Sequence, residues 1–221
     1  MFRDAVLVAA KDLRIEARSR VAASQVLPFG FLVLIVFAFA LDADRTGLAG
    51  VAAGLFWVAV VFSAVLAVQR SFALEAGGGG DALRLSGLDG GGIFLGKAAA
   101  IAVQLLALEA VLGLATVVLY GVDVRAAGVL LATGLLATTG IAAAGTVYGV
   151  LAMGHRVRDT LLPLLALPVL APVVLAAARS TEAALGVTTA GGGPWLRLLA
   201  VFAAVYLAVG LVAFGPLLEE A

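Results

Sequence analysis

The chain has 221 residues, of which 63% are hydrophobic and 13% are charged. Globular domains contain about 45–50% apolar and about 25% charged residues, so this composition excludes an ordinary soluble domain. Lys plus Arg and Asp plus Glu number 14 each, so no basic excess indicates nucleic acid as a partner. The lack of Cys and the single His exclude disulfides, thiolate metal sites and His-cluster metal sites within one chain.

Residues 2–18 predict an amphipathic helix. They read FRDAVLVAAKDLRIEAR, and apolar side chains recur at helical spacing at Phe2, Val6, Ala9, Leu13 and Ala17. We expect this helix to lie in the cytoplasmic interface before the first span; a cytoplasmic extension of the first span is the alternative. Its mixed charge predicts only modest attraction to anionic lipid, and it does not resemble a signal peptide.

Charge-poor windows of about 20 residues predict transmembrane helices, because that length crosses the hydrocarbon layer. The sequence contains six such windows: 21–41, 46–69, 98–122, 126–154, 160–178 and 198–218. The fifth contains Pro163, Pro168 and Pro172, so a kinked helix and two short helices with a re-entrant turn both stay open. The predicted fold is an all-α, polytopic integral membrane protein, with residues 1–221 as a single transmembrane domain.

The distribution of Lys and Arg predicts the orientation. With the N-terminus inside, the inner segments contain ten Lys and Arg residues and the outer segments contain four. Both termini are therefore expected on the cytoplasmic side.

The segment 70–97 is the largest predicted cytoplasmic feature. Its pattern predicts a helical extension over 70–76, a break at Gly77–Gly80 and a short helix over 82–86 capped by Asp81. A second break is expected at Gly90–Gly92. This organisation is typical of a docking element, and a flexible connection without function is the alternative.

The spacing of Gly91, Gly96 and Lys97 resembles a phosphate-binding loop. Ala98 stands where Ser or Thr must hold Mg²⁺, so no ATP site is predicted in this chain. Lys97 is interpreted as a snorkelling residue at the cytoplasmic end of the third span.

Glu109 is the only acidic or basic residue well inside a predicted span. This position makes it a candidate functional residue. Proton-coupled transport is one role. A protonated carboxyl bonded to a neighbouring polar side chain is the other, and the candidates are Gln104, Thr116, Thr138, Thr139 and Tyr148. His155 is interpreted as a titratable loop residue rather than a haem ligand. No hydrolase triad, paired-carboxylate site or metal motif is evident, so no catalytic or metal-binding residue is predicted.

The order of these features resembles the CcmB family, also called haem exporter protein B. The residues that resemble it are KDLRIEARSR near the N-terminus, GLFWVAVVFSAVLAVQRSF at 54–72, Lys97, GVDV at 121–124 and the Pro-rich LLPLLALPVLAPVVLAA at 161–177. The family usually has an acidic segment after its second span. Here Glu75, Gly77–Gly80 and Asp81 stand at that place, in a looser and more Gly-rich form.

The resemblance implies a permease subunit of an ABC-type complex for cytochrome c maturation, in the bacterial inner membrane and paired as a homodimer. The implied partners are a cytoplasmic CcmA-like ATPase, a CcmC-like haem-handling protein and a periplasmic CcmE-like haem chaperone. No cofactor is expected on this chain itself: ATP is used by the partner and haem is the cargo of the complex. The implied ATPase-coupling residues are Glu75, Asp81, Leu83 and Arg84.

These expectations predict mechanical coupling. Closure of the ATPase would push on residues 74–86 and move the second and third spans as stiff levers. The N-terminal helix would act as a pivot and the Pro-rich fifth span as the deformable element. The alternatives are an ABC-2-type permease for another lipid-like or drug-like substrate, a secondary transporter that uses Glu109, and a structural membrane scaffold.

Overall fold

The structure is a computed structural model that describes residues 1–19, 25–41, 45–75, 87–153 and 158–220. Within these ranges all regular secondary structure is helical, which confirms the predicted all-α class. The helices are α1 (Phe2–Ser19), α2 (Leu27–Ala40), α3 (Arg45–Leu74), α4 (Gly90–Tyr120), α5 (Ala127–Met153), α6 (Arg158–Leu185) and α7 (Gly193–Glu220).

Five of these helices, α3 to α7, are long and apolar enough to cross a membrane. The first predicted span corresponds to α2, which has only 14 residues. Four residues of that predicted span, 21–24, lie outside the described residues.

The contacts of the described residues nevertheless require the chain to pass from one end of the bundle to the other between α1 and α3. Lys97 near the start of α4 contacts both Asp12 of α1 and Glu75, the residue that follows α3. The first residue of α3 therefore lies at the opposite end of the bundle from α1, and residues 20–44 must connect the two ends. Within this stretch α2 runs parallel to α4, because Gly30 lies against Leu112 while the Leu34 carbonyl accepts a hydrogen bond from the Tyr120 hydroxyl.

The predicted glycine break at Gly90–Gly92 is wrong, because α4 begins there. The Asp89 side chain accepts a hydrogen bond from the Gly92 N–H at 2.8 Å and so caps the helix N-terminus. The absence of side chains permits close packing: a Cβ on Gly90 would lie 2.6 Å from the Gly215 Cα, and one on Gly92 would lie 2.8 Å from the Met1 carbonyl oxygen.

The Pro-rich helix α6 is continuous from Arg158 to Leu185, so the broken, re-entrant alternative is wrong. Its prolines do not face the core: Pro168 and Pro172 are exposed and Pro163 is half-buried. The opposite face is buried against the bundle through residues at helical spacing, namely Leu162, Ala166, Leu170, Val173 and Ala177. Packing along that face holds together a helix that lacks one backbone donor at each proline.

Two pairs of glycines spaced four residues apart, which can act as small-residue packing motifs, have different surroundings. Gly145 and Gly149 of α5 are buried against Val68 and Phe72 of α3, so this motif serves packing within the chain. A Cβ on Gly50 or Gly54 of α3 would meet no atom within 4 Å.

Candidate functional site

The inward face of α1 is acidic. Asp4, Val8, Asp12 and Glu16 recur every four residues and therefore lie on one side of the helix. Val8 is buried against α4, where a Cβ on Gly96 would lie 2.6 Å from the Val8 Cβ. The close approach of α1 to α4 thus places three carboxylates between helices.

Helix α1, the residue that follows α3 and the start of α4 together form a cluster of charged side chains. We define this charge cluster as Lys11, Asp12, Glu75 and Lys97. The Lys97 Nζ lies 2.8 Å from the Glu75 Oε1 and 3.2 Å from the Asp12 Oδ2. The Lys11 Nζ lies 2.7 Å from the same Glu75 oxygen and 3.1 Å from the Asp12 Oδ1. Two cations and two carboxylates therefore form a neutral ring of ion pairs.

The predicted snorkelling role of Lys97 is wrong, because its side chain is 1% exposed. A buried ammonium group is tolerated only when it is paired and hydrogen-bonded, and Asp12 and Glu75 satisfy that requirement. The Phe72 ring adds a cation–π contact, with the Lys97 Nζ 5.1 Å from the ring centroid.

The pKa values of Glu75 and Lys11 are shifted in favour of their ionised forms. Burial alone would raise the pKa of Glu75, but the Lys97 charge and the hydrogen bonds from Lys11 and Lys97 outweigh it and lower that pKa. Burial alone would lower the pKa of Lys11, but the hydrogen bond to Glu75 and the charge of Asp12 raise it overall. Both shifts favour the charged form of the group at neutral pH.

Polar contacts also hold α1 on either side of the charge cluster. Towards the start of α1, the Asp4 Oδ2 lies 3.0 Å from the N-terminal ammonium group and accepts the Asp89 N–H at 3.4 Å. The hydrogen bond from the ammonium group lowers the pKa of Asp4. Towards the end of α1, the Arg70 Nε lies 3.0 Å from the Glu16 Oε2.

Of the four predicted coupling residues, the structure describes Glu75. Glu75 is 5% exposed, so it contacts α1 and α4 rather than presenting a surface to a partner. Asp81, Leu83 and Arg84 lie outside the described residues, as does His155. Glu75, in the charge cluster, and Asp89, whose N–H donates to Asp4, flank residues 76–88, so both ends of this stretch of the predicted coupling loop 70–97 contact α1.

Glu109 belongs to a separate polar contact between α4 and α5. It is 8% exposed and accepts a hydrogen bond from the Thr138 hydroxyl, one of the five partners expected from the sequence. It borders a mainly apolar cavity of about 440 Å³, which Trp57 also lines, and the Trp57 Nε1 donates to the Thr181 hydroxyl at 2.9 Å. A transport role for Glu109 stays a prediction.

Sequence reasoning missed the charge cluster, although a signal was present. The acids of α1 fall at positions 4, 12 and 16, whereas its apolar stripe falls at 2, 6, 9, 13 and 17. An acidic stripe distinct from an apolar one indicates a polar partner on another element. Lys97, which precedes a long apolar run, was the candidate cation.

A search of curated proteins returned no match. The family model described as "CcmB protein" matches residues 3–220, which is nearly the whole chain and includes the charge cluster. The long apolar helices described above agree with the integral membrane character of that family. The chain therefore belongs to the CcmB family and is a membrane component of a haem-exporter ABC transporter.

Proposed function

We propose that this chain couples ATP hydrolysis by a separate ATPase subunit to haem export or to release of a haem-loaded chaperone. Family membership supports the transporter assignment. The proposed complex contains a CcmA-like ATPase, a CcmC-like haem-handling protein, a CcmE-like periplasmic chaperone and a second copy of this chain. In this proposal the protein lies in the bacterial inner membrane, and the end of the bundle that carries α1 faces the cytoplasm.

The observation that carries the proposal is the charge cluster. It connects α1, the end of α3 and the start of α4 through ion pairs of 2.7–3.2 Å. Removing one partner of a buried ion pair typically costs about 3–5 kcal/mol, so α1, the end of α3 and the start of α4 resist separation. A displacement of residues 76–88 by a partner would therefore move α1, α3 and α4 together.

The proposed stroke uses stiff and deformable elements. The long helices α3 and α4 transmit the displacement across the membrane, and α1 guides its direction at the membrane surface. Helix α6 is the element that bends, because Pro163, Pro168 and Pro172 each remove a backbone donor from it. Hinge and shear movements of packed helices are common in such transitions.

Two classes of variant test this proposal in the complex with the ATPase. Asp81→Ala with Arg84→Ala should weaken co-purification of the ATPase, because these residues stand in the proposed docking segment. Glu75→Gln should preserve co-purification but reduce haem or chaperone release per ATP hydrolysed by at least about threefold, because it weakens the link between helices.

Glu182→Gln is the matched control, since it also removes one paired carboxylate but at the other end of the bundle. It should preserve both association and coupling. If the docking and cluster variants all kept wild-type association and wild-type release per ATP, the proposal would fail.

A further inference from the structure

The charges of α1 are separated by sign. The acids Asp4, Asp12 and Glu16 are turned inward, with side chains 21%, 11% and 12% exposed. Arg3, Arg14 and Arg18 are exposed. None of these arginines forms a hydrogen bond or ion pair with another residue in the described ranges. The net charge of α1 therefore understates the positive charge of its outer surface.

The outer surface of α1 contains two parallel strips. At about 100° per residue, Arg3, Arg14 and Arg18 fall within a sector of about 60°, which we call the basic strip. The adjacent sector of about 80° is the apolar strip, formed by Phe2, Val6, Ala10, Leu13 and Ala17. It differs from the apolar stripe predicted from the sequence only in having Ala10 in place of Ala9. Phe2 is 83% exposed and Val6 is 53% exposed. Ala10 and Ala17 are also exposed and Leu13 is half-buried, so this chain leaves most of the apolar strip uncovered.

The position of α1 along α4 corresponds to the depth of lipid headgroups. With 31 residues, α4 is about 46 Å long, about 16 Å more than the hydrocarbon thickness. The charge cluster and the Asp89 cap lie at the α1 end, so the surplus length belongs there. Gly92 and Gly96, which α1 contacts, then lie outside the hydrocarbon layer.

We propose that the outer face of α1 binds anionic phospholipid headgroups, with Arg3, Arg14 and Arg18 pairing with lipid phosphates. The apolar strip lies beside them at the acyl boundary, as in amphipathic helices at membrane surfaces. Charge complementarity favours an anionic lipid, because the acids that would repel it are paired on the inner face. This inference does not depend on the proposed ATP coupling.

A local measurement tests the proposal on the full chain. Because the chain has no Cys, an Ala10→Cys substitution places a single fluorophore in the apolar strip. In the reconstituted protein, quenching of this fluorophore is measured with nitroxide-labelled phosphatidylglycerol and, separately, with nitroxide-labelled phosphatidylcholine. We expect phosphatidylglycerol to be enriched at the fluorophore by about threefold or more, and salt at about 0.5 M to reduce this enrichment.

Three variants in this background identify the residues responsible. Combined Arg3→Gln, Arg14→Gln and Arg18→Gln substitutions should lower the enrichment to about onefold, and Lys at the same positions should restore it. The control combines Arg125→Gln, Arg179→Gln and Arg197→Gln, which remove the same charge from the other end of the bundle and should leave the enrichment unchanged.

Three results would overturn the proposal. They are an equal affinity of the wild-type surface for both lipids, an enrichment that survives the three Gln substitutions, and an equal loss in the control. If the Gln variant kept its lipid enrichment but no longer co-purified with an ATPase, the basic strip would belong to a protein interface and lipid binding would be rejected. The salt dependence of the wild-type protein decides the matter even if the Gln variant does not fold.

Discussion

The burial of Lys97 depends on ion-pair partners that lie on other elements. In the sequence it is a lysine at the start of a long apolar run, which is the usual setting of a snorkelling residue. In the structure it is 1% exposed and pairs with acids 85 and 22 positions earlier in the chain. The acidic stripe of α1 indicates a polar partner on another element, but local periodicity contains no information on how distant residues pair or on whether Lys97 is buried by that pairing.

We predict that Lys97→Met destabilises the protein by about 3–5 kcal/mol, because Asp12 and Glu75 then share the single cation of Lys11. Thermal unfolding of the detergent-solubilised chain, followed by loss of the monodisperse peak, measures the effect. Combining Lys97→Met with Asp12→Asn leaves one cation and one carboxylate and should recover part of the loss. A double variant no more stable than the single one would contradict the ion-pair explanation.

The charge cluster also predicts a dependence of stability on pH. The pKa of Glu75 is lowered below its ordinary value of 4.5, so its contribution is present above that value and is lost as pH falls through the folded-state pKa. The pKa of Lys11 is raised above 10.5, so its contribution is present below that value and is lost as pH rises through the folded-state pKa. The free energies of unfolding of wild type and Glu75→Gln, measured from pH 3 to pH 6, should converge at the acidic end. Parallel curves would refute this assignment.

At the scale of elements, helices were predictable where one local pattern dominates. The amphipathic segment 2–18 is a helix over Phe2–Ser19, and its predicted apolar stripe is the outward flank of α1. The glycines at 90–92 were predicted to break the chain, and the prolines of α6 left a continuous and a broken helix open, because the local propensity of both segments opposes helix formation. Close packing stabilises the helix in both segments. The glycines let α1 and α7 pack closely against α4, and α6 buries one face against the bundle.

We predict that Gly96→Val displaces α1 from α4. A Cβ on Gly96 would lie 2.6 Å from the Val8 Cβ and 2.7 Å from the Ala5 carbonyl oxygen, so backbone has to move. The expected cost is about 1–3 kcal/mol of stability. A nitroxide at Ala10→Cys should become more mobile in this variant. Gly50→Val is the control, because a Cβ there meets no atom within 4 Å; equal effects of the two substitutions would contradict this packing.

At the scale of the whole molecule, chain direction determines the number of crossings. Gly90 packs against Gly215 near the end of α7, and Gly92 packs against Met1, so both ends of the described chain lie at the α1 end of the bundle. Chain ends on one side require an even number of membrane crossings, and five helices, α3 to α7, are long and apolar enough to cross. We therefore predict that the stretch between α1 and α3, which contains the short helix α2, makes a sixth crossing.

Single-cysteine labelling tests this topology, because the chain has no Cys of its own. We predict that Ser19→Cys and Glu220→Cys react with a membrane-impermeant maleimide from one side of sealed membranes. Asp123→Cys and Thr189→Cys, in the connections after α4 and α6, should react from the other side. The excess of Lys and Arg at the α1 end predicts that the first pair faces the cytoplasm. Ser19→Cys and Glu220→Cys reacting from opposite sides would mean that residues 20–44 do not cross, and that α2 only lies against α4 within one half of the bundle.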